Sequence, residues 1–209
     1  VTEIDCTFAV EDTQTLDEGT VLYRAIQRIQ REAEDAVRAG REQIVLTDQH
    51  QNQDRAALPM ILAAGAVHTH LVKQGLRTFC SLTVRSAECL DTHYFAVLVG
   101  VGATCVNAYL AQDCIADRHE RGLIEGLTLG QAVKRYKEAI EAGLLKILSK
   151  MGISVISSYR GGYNFEALGL FRALVDEFFP GMVSRISGIG LAGLARKSLE
   201  MHARAFDRQ

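Results

Sequence analysis

The chain has 209 residues, of which 48% are hydrophobic and 23% are charged, and its formal net charge is −2. These proportions are typical of a soluble globular protein. The slightly negative net charge argues against a nucleic-acid-binding protein, which would carry an excess of basic residues. No apolar run approaches the roughly 20 residues of a membrane-spanning helix, and no signal peptide is recognisable. We therefore predict one domain, residues 1–209, with neither nucleic acid nor a membrane as a partner.

The chain begins with Val1 instead of Met, within an apolar run typical of a strand. This start leads us to expect a piece of a longer polypeptide. The five cysteines include no Cys-x-x-Cys pair, and their number is odd, which argues against a zinc or iron–sulfur site. We expect all five to be reduced and mostly buried, as in a cytoplasmic protein. They are Cys6, Cys80, Cys89, Cys105 and Cys114.

Short β-rich runs alternate with segments of helical periodicity along the first half of the chain. The predicted strands are 2–8, 43–47, 78–84 and 104–110. The predicted helices are 21–37, 59–75 and 90–98. In the helix 21–37, apolar residues recur three and four positions apart, so that one face can be buried.

The second half continues with two helices, 112–121 and 128–151, and a fifth predicted strand, 153–157. Thr128 and Gln131 have the spacing of a capping box at the start of the longer helix. Further helices are predicted at 165–178 and 192–204, with a short strand at 182–186 between them. Strands that alternate with helices favour a mainly parallel sheet of five or six strands. Because a closed (β/α)₈ barrel needs eight strands, we predict incomplete, barrel-like (β/α) units.

Two local motifs suggest ligand sites but lack the context that such sites need. Gly188–Gly193 matches the GxGxxG pattern of phosphate-binding loops, yet no acidic residue follows about 20 positions later. A tight turn before the last helix is the alternative. His68 and His70 form an HxH motif, but residues two apart on a helix do not face each other. A metal site there is disfavoured.

Polar residues follow the predicted strands at the ends where ligands bind in α/β folds. They are Asp48 and His50 after the second strand, Arg85, Ser86 and Glu88 after the third, Asn107 and Tyr109 at the fourth, and Ser157, Ser158, Tyr159 and Arg160 at the fifth. A stand-alone (β/α) enzyme could use this cluster as its site. Alternatively, these residues cap loops or contact another domain.

The loop Tyr159–Asn164 is the most distinctive of these segments. Arg160 can form a forked pair with a carboxylate, and Gly161 and Gly162 allow a sharp turn. We predict that this loop is an inter-domain contact, at the same end of the sheet as Asn107 and Tyr109. The candidate contact residues are Tyr159, Arg160, Gly161, Gly162, Asn107 and Tyr109.

Several strings along the chain resemble the glutamate synthase family closely and occur in the family's order. They are 65–68 (GAVH), 76–78 (LRT), 106–111 (VNAYLA), 146–154 (KILSKMGIS), 158–162 (SYRGG), 165–167 (FEA) and 184–191 (SRISGIGL). They resemble the C-terminal part of the central domain in the large subunit, just before the FMN-binding barrel. The central domain of that family is an α/β relative of the barrel, which agrees with the incomplete strand count.

The resemblance implies a connecting role in an oxidoreductase that converts L-glutamine, 2-oxoglutarate and reductant to two L-glutamate. Its partners would be the adjacent glutaminase and FMN-binding domains, and the family's large subunit can pair with a small reductase subunit. FMN and the 3Fe–4S cluster would be bound by other domains, so no catalytic, cofactor-binding or metal-binding residue is transferred to this chain. The chain would help to line the ammonia path between the two sites, and once separated it could self-associate.

Overall fold

The computed structural model describes residues 1–206 as an α/β protein, so 207–209 of the predicted single domain lie outside the described residues. The strands are β1 Thr2–Asp5, β2 Thr7–Ala9, β3 Gln43–Thr47, β4 Arg55–Ala57, β5 Ser81–Arg85, β6 Cys105–Asn107, β7 Glu166–Leu170 and β8 Val183–Ile189. The helices are α1 Glu18–Arg38, α2 Met60–Lys73, α3 Thr92–Gly100, α4 Tyr109–Glu120, α5 Leu129–Lys150, α6 Arg172–Phe178 and α7 Leu191–Phe206. None of these helices is long and apolar enough to cross a membrane.

The main sheet contains four parallel strands in the order β1-β3-β5-β6. Each strand lies beside the one that precedes it in this series, as in a barrel. Because βαβ crossovers are right-handed, a sheet that grows in one direction places its connecting helices on one face. Two small sheets accompany it, an antiparallel pair β2-β4 and a parallel pair β7-β8. The predicted mainly parallel sheet with helices is confirmed.

The main sheet has fewer strands than the five or six that we predicted. The segment 153–157 is not a strand, because the chain enters a 3₁₀ turn at Ile156–Ser158 that leaves Ile156 exposed. An apolar run this short does not by itself specify a strand. The predicted helix 165–178 was also wrong in its first half, which is β7. Gly169 lies there at φ 77°, in a left-handed conformation that a helix does not contain.

The covered face of the sheet supplies the main hydrophobic core. Its apolar side chains pack against the buried stripe of α1 and against α2, which is buried along most of its length. Fully burying one such Leu or Ile side chain contributes about 1.5–3 kcal/mol. The sheet residues of this core are Ile4, Ile44, Leu46, Leu82 and Val84.

The cysteines only partly follow the expectation of burial. All five are free, and Cys6 and Cys89 are buried, but Cys105 and Cys114 are exposed. Cys105 lies on the edge strand β6, where no further strand covers it. The capping box at the start of α5 is confirmed, since Thr128 and Gln131 exchange both hydrogen bonds.

Gly65 tests the contact between α2 and the segment that follows α6. A Cβ atom at Gly65 would lie 2.1 Å from Cε1 of Phe179. We predict that Gly65→Ala lowers the free energy of unfolding by about 1–3 kcal/mol, since overpacking forces buried groups to shift. Urea denaturation measures this change. The control is Gly130→Ala in α5, where nothing lies within 4 Å and the stability should hold or rise. Equal effects of the two substitutions would contradict the contact.

Candidate functional site

A buried polar cluster lies where the carboxyl ends of β3 and β5 meet. Asp48 follows β3 and is fully buried. Its Oδ2 accepts a hydrogen bond of 3.1 Å from Ser86 Oγ, and the Ala87 N–H donates to both carboxylate oxygens at 3.2 and 2.9 Å. Gln51 Nε2 donates to the Tyr109 hydroxyl at 3.4 Å. Asp48, Ser86 and Tyr109 belong to the larger set of polar residues that the sequence places after the strands, and these three lie near one another.

Burial dominates the electrostatics of this cluster. It raises the pKa of Asp48, against the opposing effect of hydrogen bonds from Ala87 and Tyr109. The pKa of Tyr109 rises to about 12, because its hydroxyl is desolvated and lies beside Asp48. The fold therefore holds a neutral phenol beside a buried carboxyl group.

Glu88 is a second carboxyl group that is held by the fold. It accepts a 2.9 Å hydrogen bond from the backbone N–H of Met60, at the amino-terminal end of α2, and another from the Tyr94 hydroxyl. Burial raises the pKa of Glu88, against these hydrogen bonds. Like Asp48, this group joins separate elements of the fold, and both of its hydrogen bonds are accepted by Oε2.

Other predicted residues lie on the uncovered face of the sheet or beside it. Arg85 Nη1 donates to Glu3 Oε2 and to Gln49 Oε1, each at 3.0 Å, and His50 Nε2 lies 3.1 Å from Glu3 Oε1. The Asn107 carbonyl accepts from the Ser86 N–H at 3.0 Å, while its side chain is exposed. These pairs form a polar network between neighbouring strands.

The loop Tyr159–Asn164 is at the opposite end of the sheet from Asn107 and Tyr109. The Gly161 N–H donates to the Val99 carbonyl at 3.1 Å, and the Tyr163 N–H donates to the Gly100 carbonyl at 3.3 Å. Val99 and Gly100 lie at the carboxyl-terminal end of α3, and the chain continues from there to the amino end of β6. Our placement was wrong because it assumed a fifth strand that would have carried the loop to the other end.

The residues of this loop differ in how far they reach solvent. Tyr159 is only 3% exposed and packs with Ala96, Val99 and Leu148 in a small second core. This residue anchors the loop and is not free to contact a partner. Arg160 and Gly162 are exposed.

His68 lies beside the loop, and sequence reasoning missed its partner Arg77. Arg77 Nε donates to His68 Nδ1 at 3.0 Å, and its terminal nitrogens donate to the carbonyls of Cys80 and Gly102 at 2.7 Å. Burial lowers the pKa of His68 to about 4, and the charges of Arg77 and Arg160 act in the same direction. The HxH motif was the available signal, and its alternative to a metal site was a histidine at the helix surface or at the edge of the core.

The two histidines of that motif face different neighbours, as expected from their spacing. His70 Nε2 lies 2.7 Å from Glu34 Oε2 of α1. The His68 ring lies against Gly102 at φ 115°, where a Cβ atom would be 2.2 Å from Nδ1. No group of three or more His, Cys, Asp or Glu side chains suited to a metal ion occurs within residues 1–206.

Two of the three glycines in Gly188–Gly193 are explained by packing. A Cβ atom on Gly188 would lie 2.1 Å from the Gly169 carbonyl oxygen, where β7 and β8 approach closely. A Cβ atom on Gly193 would lie 2.8 Å from Cβ of Ile189. These contacts favour the turn interpretation over a phosphate-binding loop.

Comparison with known proteins identifies the family of this α/β chain. Residues 1–171 match the family model described as glutamate synthase central domain. The chain belongs to the glutamate synthase family. It is 62% identical over 208 residues to the glutamate synthase [NADPH] large chain of Azospirillum brasilense, an alignment that covers 99% of the chain. The predicted resemblance is thereby confirmed.

More distant relatives use the same family name. The ferredoxin-dependent glutamate synthase, chloroplastic, of Spinacia oleracea is 42% identical over 90% of the chain, and the glutamate synthase [NADPH] large chain of Bacillus subtilis (strain 168) is 36% identical over 88%. The chain spans only 13% of the length of the Azospirillum relative and 12% of the other two. The family model ends at Phe171, so α6, β8 and α7 lie beyond the matched range.

Asp48 gives a pH-dependent test of the buried cluster. Because its folded pKa is raised, its contribution to stability is present below the unfolded value of about 3.9 and is lost as pH rises through the folded value. Asp48→Asn removes this loss but keeps an acceptor for the Ala87 N–H. We predict that the variant gains stability relative to wild type as pH rises from about 4 through the folded pKa of Asp48, by about 1.4 kcal/mol for each unit of the pKa shift.

Urea unfolding at several pH values measures the difference between Asp48→Asn and wild type. Asp35→Asn, at an exposed position of α1, is the matched control for the substitution itself. A stability difference for Asp48→Asn that stays constant with pH would show that Asp48 does not titrate as described.

Proposed function

We propose that the chain is the connecting central segment of a longer glutamate synthase polypeptide. It would lie between a glutaminase domain and an FMN-binding synthase domain, fix the distance between their sites and help to line the ammonia path. The reaction of the whole enzyme would convert L-glutamine, 2-oxoglutarate and reductant to two L-glutamate. The observation that carries this proposal is that residues 1–171 match the glutamate synthase central domain. The chain also aligns with only 13% of the Azospirillum relative, which is therefore about eight times longer.

The surface of the small sheet β7-β8 supports a place within a larger structure. Parallel sheets are normally covered on both faces, yet Leu168 is 65% exposed and Ile186 is 62% exposed. Apolar surface of this kind is typical of contacts with another part of a protein. The same surface would allow the separated chain to self-associate.

The cysteines support the proposal that catalysis and cofactor binding reside in other domains. A cysteine nucleophile needs a lowered pKa, whereas burial raises the pKa of the Cys6 thiol. As the family resemblance implies, FMN, the 3Fe–4S cluster and a small reductase subunit would be bound elsewhere in the enzyme. The free state of all five cysteines favours a cytoplasmic location.

The alternative of a stand-alone (β/α) enzyme has weaker support. Its site would be the cluster around Asp48 at the carboxyl ends of the strands. The hydrogen bonds of Asp48 and Glu88 are directed at the protein's own backbone and side chains. A general base must reach a substrate proton at hydrogen-bond distance, which the fully buried Asp48 does not offer.

We also propose inter-domain contacts at both ends of the sheet. At one end Arg160 is exposed, and no carboxylate within residues 1–206 lies within 4.0 Å of it. Gly161 and Gly162 shape the loop there, while Tyr159 anchors it from within. At the other end, Asn107 and Tyr109 are accessible in part.

We predict that the purified chain neither hydrolyses glutamine nor forms glutamate, and that it carries no flavin. The physical reason is that the buried carboxyl groups and the buried Cys6 do not provide a reactive centre. Activity assays and an absorption spectrum test this prediction. Near-stoichiometric flavin in the purified chain would contradict it.

We predict that Arg160→Ala in the longer polypeptide uncouples glutamine hydrolysis from glutamate synthesis. The loss of a contact between domains should lower the glutamate formed per glutamine hydrolysed, while ammonia-dependent synthesis and hydrolysis themselves continue. The control is Lys137→Ala on the exposed face of α5. Loss of ammonia-dependent synthesis with an intact fold would instead place Arg160 in the chemistry.

A further inference from the structure

The hydrogen bond between Arg77 and His68 fixes the protonation of the imidazole ring. A guanidinium group has no acceptor, so His68 Nδ1 must carry a lone pair and the ring proton must lie on Nε2. A second proton would break this bond and add a cation beside Arg77 and Arg160. The neutral ring therefore presents one N–H donor, at Nε2.

This donor is left available by the shape of the loop. Among residues 1–206, His68 Nε2 has no hydrogen-bond partner. The only side-chain polar atom in this range that is both fully buried and without a partner is Ser184 Oγ. Because His68 Nε2 has no partner either, it is not fully buried and reaches solvent. A Cβ atom at Gly161 would lie 3.4 Å from Nε2 and from Cε1. A larger side chain at this position would extend over the ring, and Gly161 leaves the approach open.

The surroundings of this donor are cationic. Arg160 is next to Gly161 in the chain, and Arg77 is held against the other ring nitrogen. Within the described part of the chain, no carboxylate forms an ion pair with either arginine. Two guanidinium groups without an anion repel each other, and a bound carboxylate would relieve this repulsion.

We propose that His68 Nε2 and the Arg160 guanidinium form a receptor for one carboxylate, the His68–Arg160 site. The occupant is an Asp or Glu side chain of a neighbouring domain in the same polypeptide. This rests on the proposed function, and it names the chemistry of the partner at the Arg160 contact. A guanidinium binds a carboxylate through two parallel hydrogen bonds, and the imidazole N–H supplies a third donor.

The first test uses the purified chain and needs no neighbouring domain. Acetate is titrated into chain labelled with ¹⁵N at histidine and arginine, against chloride at the same ionic strength. We expect the His68 Nε2 and Arg160 Nε resonances to shift saturably with acetate alone, and Arg160→Ala to abolish the saturable shift of His68. Arg118→Ala, an exposed residue of α4, should change nothing. Equal shifts with chloride would overturn the proposal.

The second test uses charge reversal in the longer polypeptide. If a carboxylate occupies the site, Arg160→Glu places two negative charges together and should uncouple the half-reactions more severely than Arg160→Ala. Arg160→Lys should retain part of the coupling, because it keeps the charge without the forked geometry. Equal losses for Glu and Ala would refute the carboxylate while leaving a docking role for the loop. No loss for either variant, despite saturable acetate binding, would refute the docking role itself.

Discussion

The sequential order of the four main strands is the constraint on which the rest of the structure depends. A sheet that adds each new strand on the same side, with right-handed crossovers, places its connecting helices on one face. The strands then need a continuous apolar surface on that face only. Ile44 and Leu46 of β3, with Leu82 and Val84 of β5, supply it and pack against α1 and α2.

The opposite face follows from the same constraint. In a closed barrel it would be the interior, filled by side chains from all strands. Here the cross-strand row Glu3, Val45, Thr83 and Cys105 includes polar and exposed residues, and Glu3 pairs with Arg85 across the intervening strand. Exposed charge pairs stabilise a protein only weakly, typically by about 0–1 kcal/mol. This face therefore depends little on its own contacts and is compatible with solvent or with another domain.

Sequence reasoning succeeded where one local signal determines structure. The period of α1, from Val21 to Val37, and the capping box at Thr128 each specify a helix without reference to distant residues. The polar residues after β3 and β5 were also predicted to meet, because parallel strands bring their carboxyl ends together. The family strings identified the relatives for a different reason, since they reflect descent and not local energetics.

Prediction failed where a distant contact decides the structure. Nothing near residues 153–157 shows that the chain turns to the carbonyls of Val99 and Gly100 instead of joining β6. The burial of Tyr159 depends on Ala96 and Leu148, which lie on two other helices. The hydrogen bond from Arg77 to His68 links a 3₁₀ turn to α2, and neither residue indicates the other in sequence.

The two ends of the sheet consequently differ in chemistry. At the carboxyl end, Asp48 accepts hydrogen bonds at both carboxylate oxygens and Glu88 accepts them at Oε2, so both carboxyl groups have donors from within the fold. At the amino end, Arg77 donates hydrogen bonds to two carbonyl groups and to His68. These acceptors are neutral, so they do not balance the charge of the guanidinium. A partly buried cation is stabilised by hydrogen bonds but also favours a nearby anion. The two ends of the sheet thus differ in charge: the carboxyl end holds carboxyl groups with donors from the fold, whereas within residues 1–206 the arginines of the amino end have no carboxylate in an ion pair.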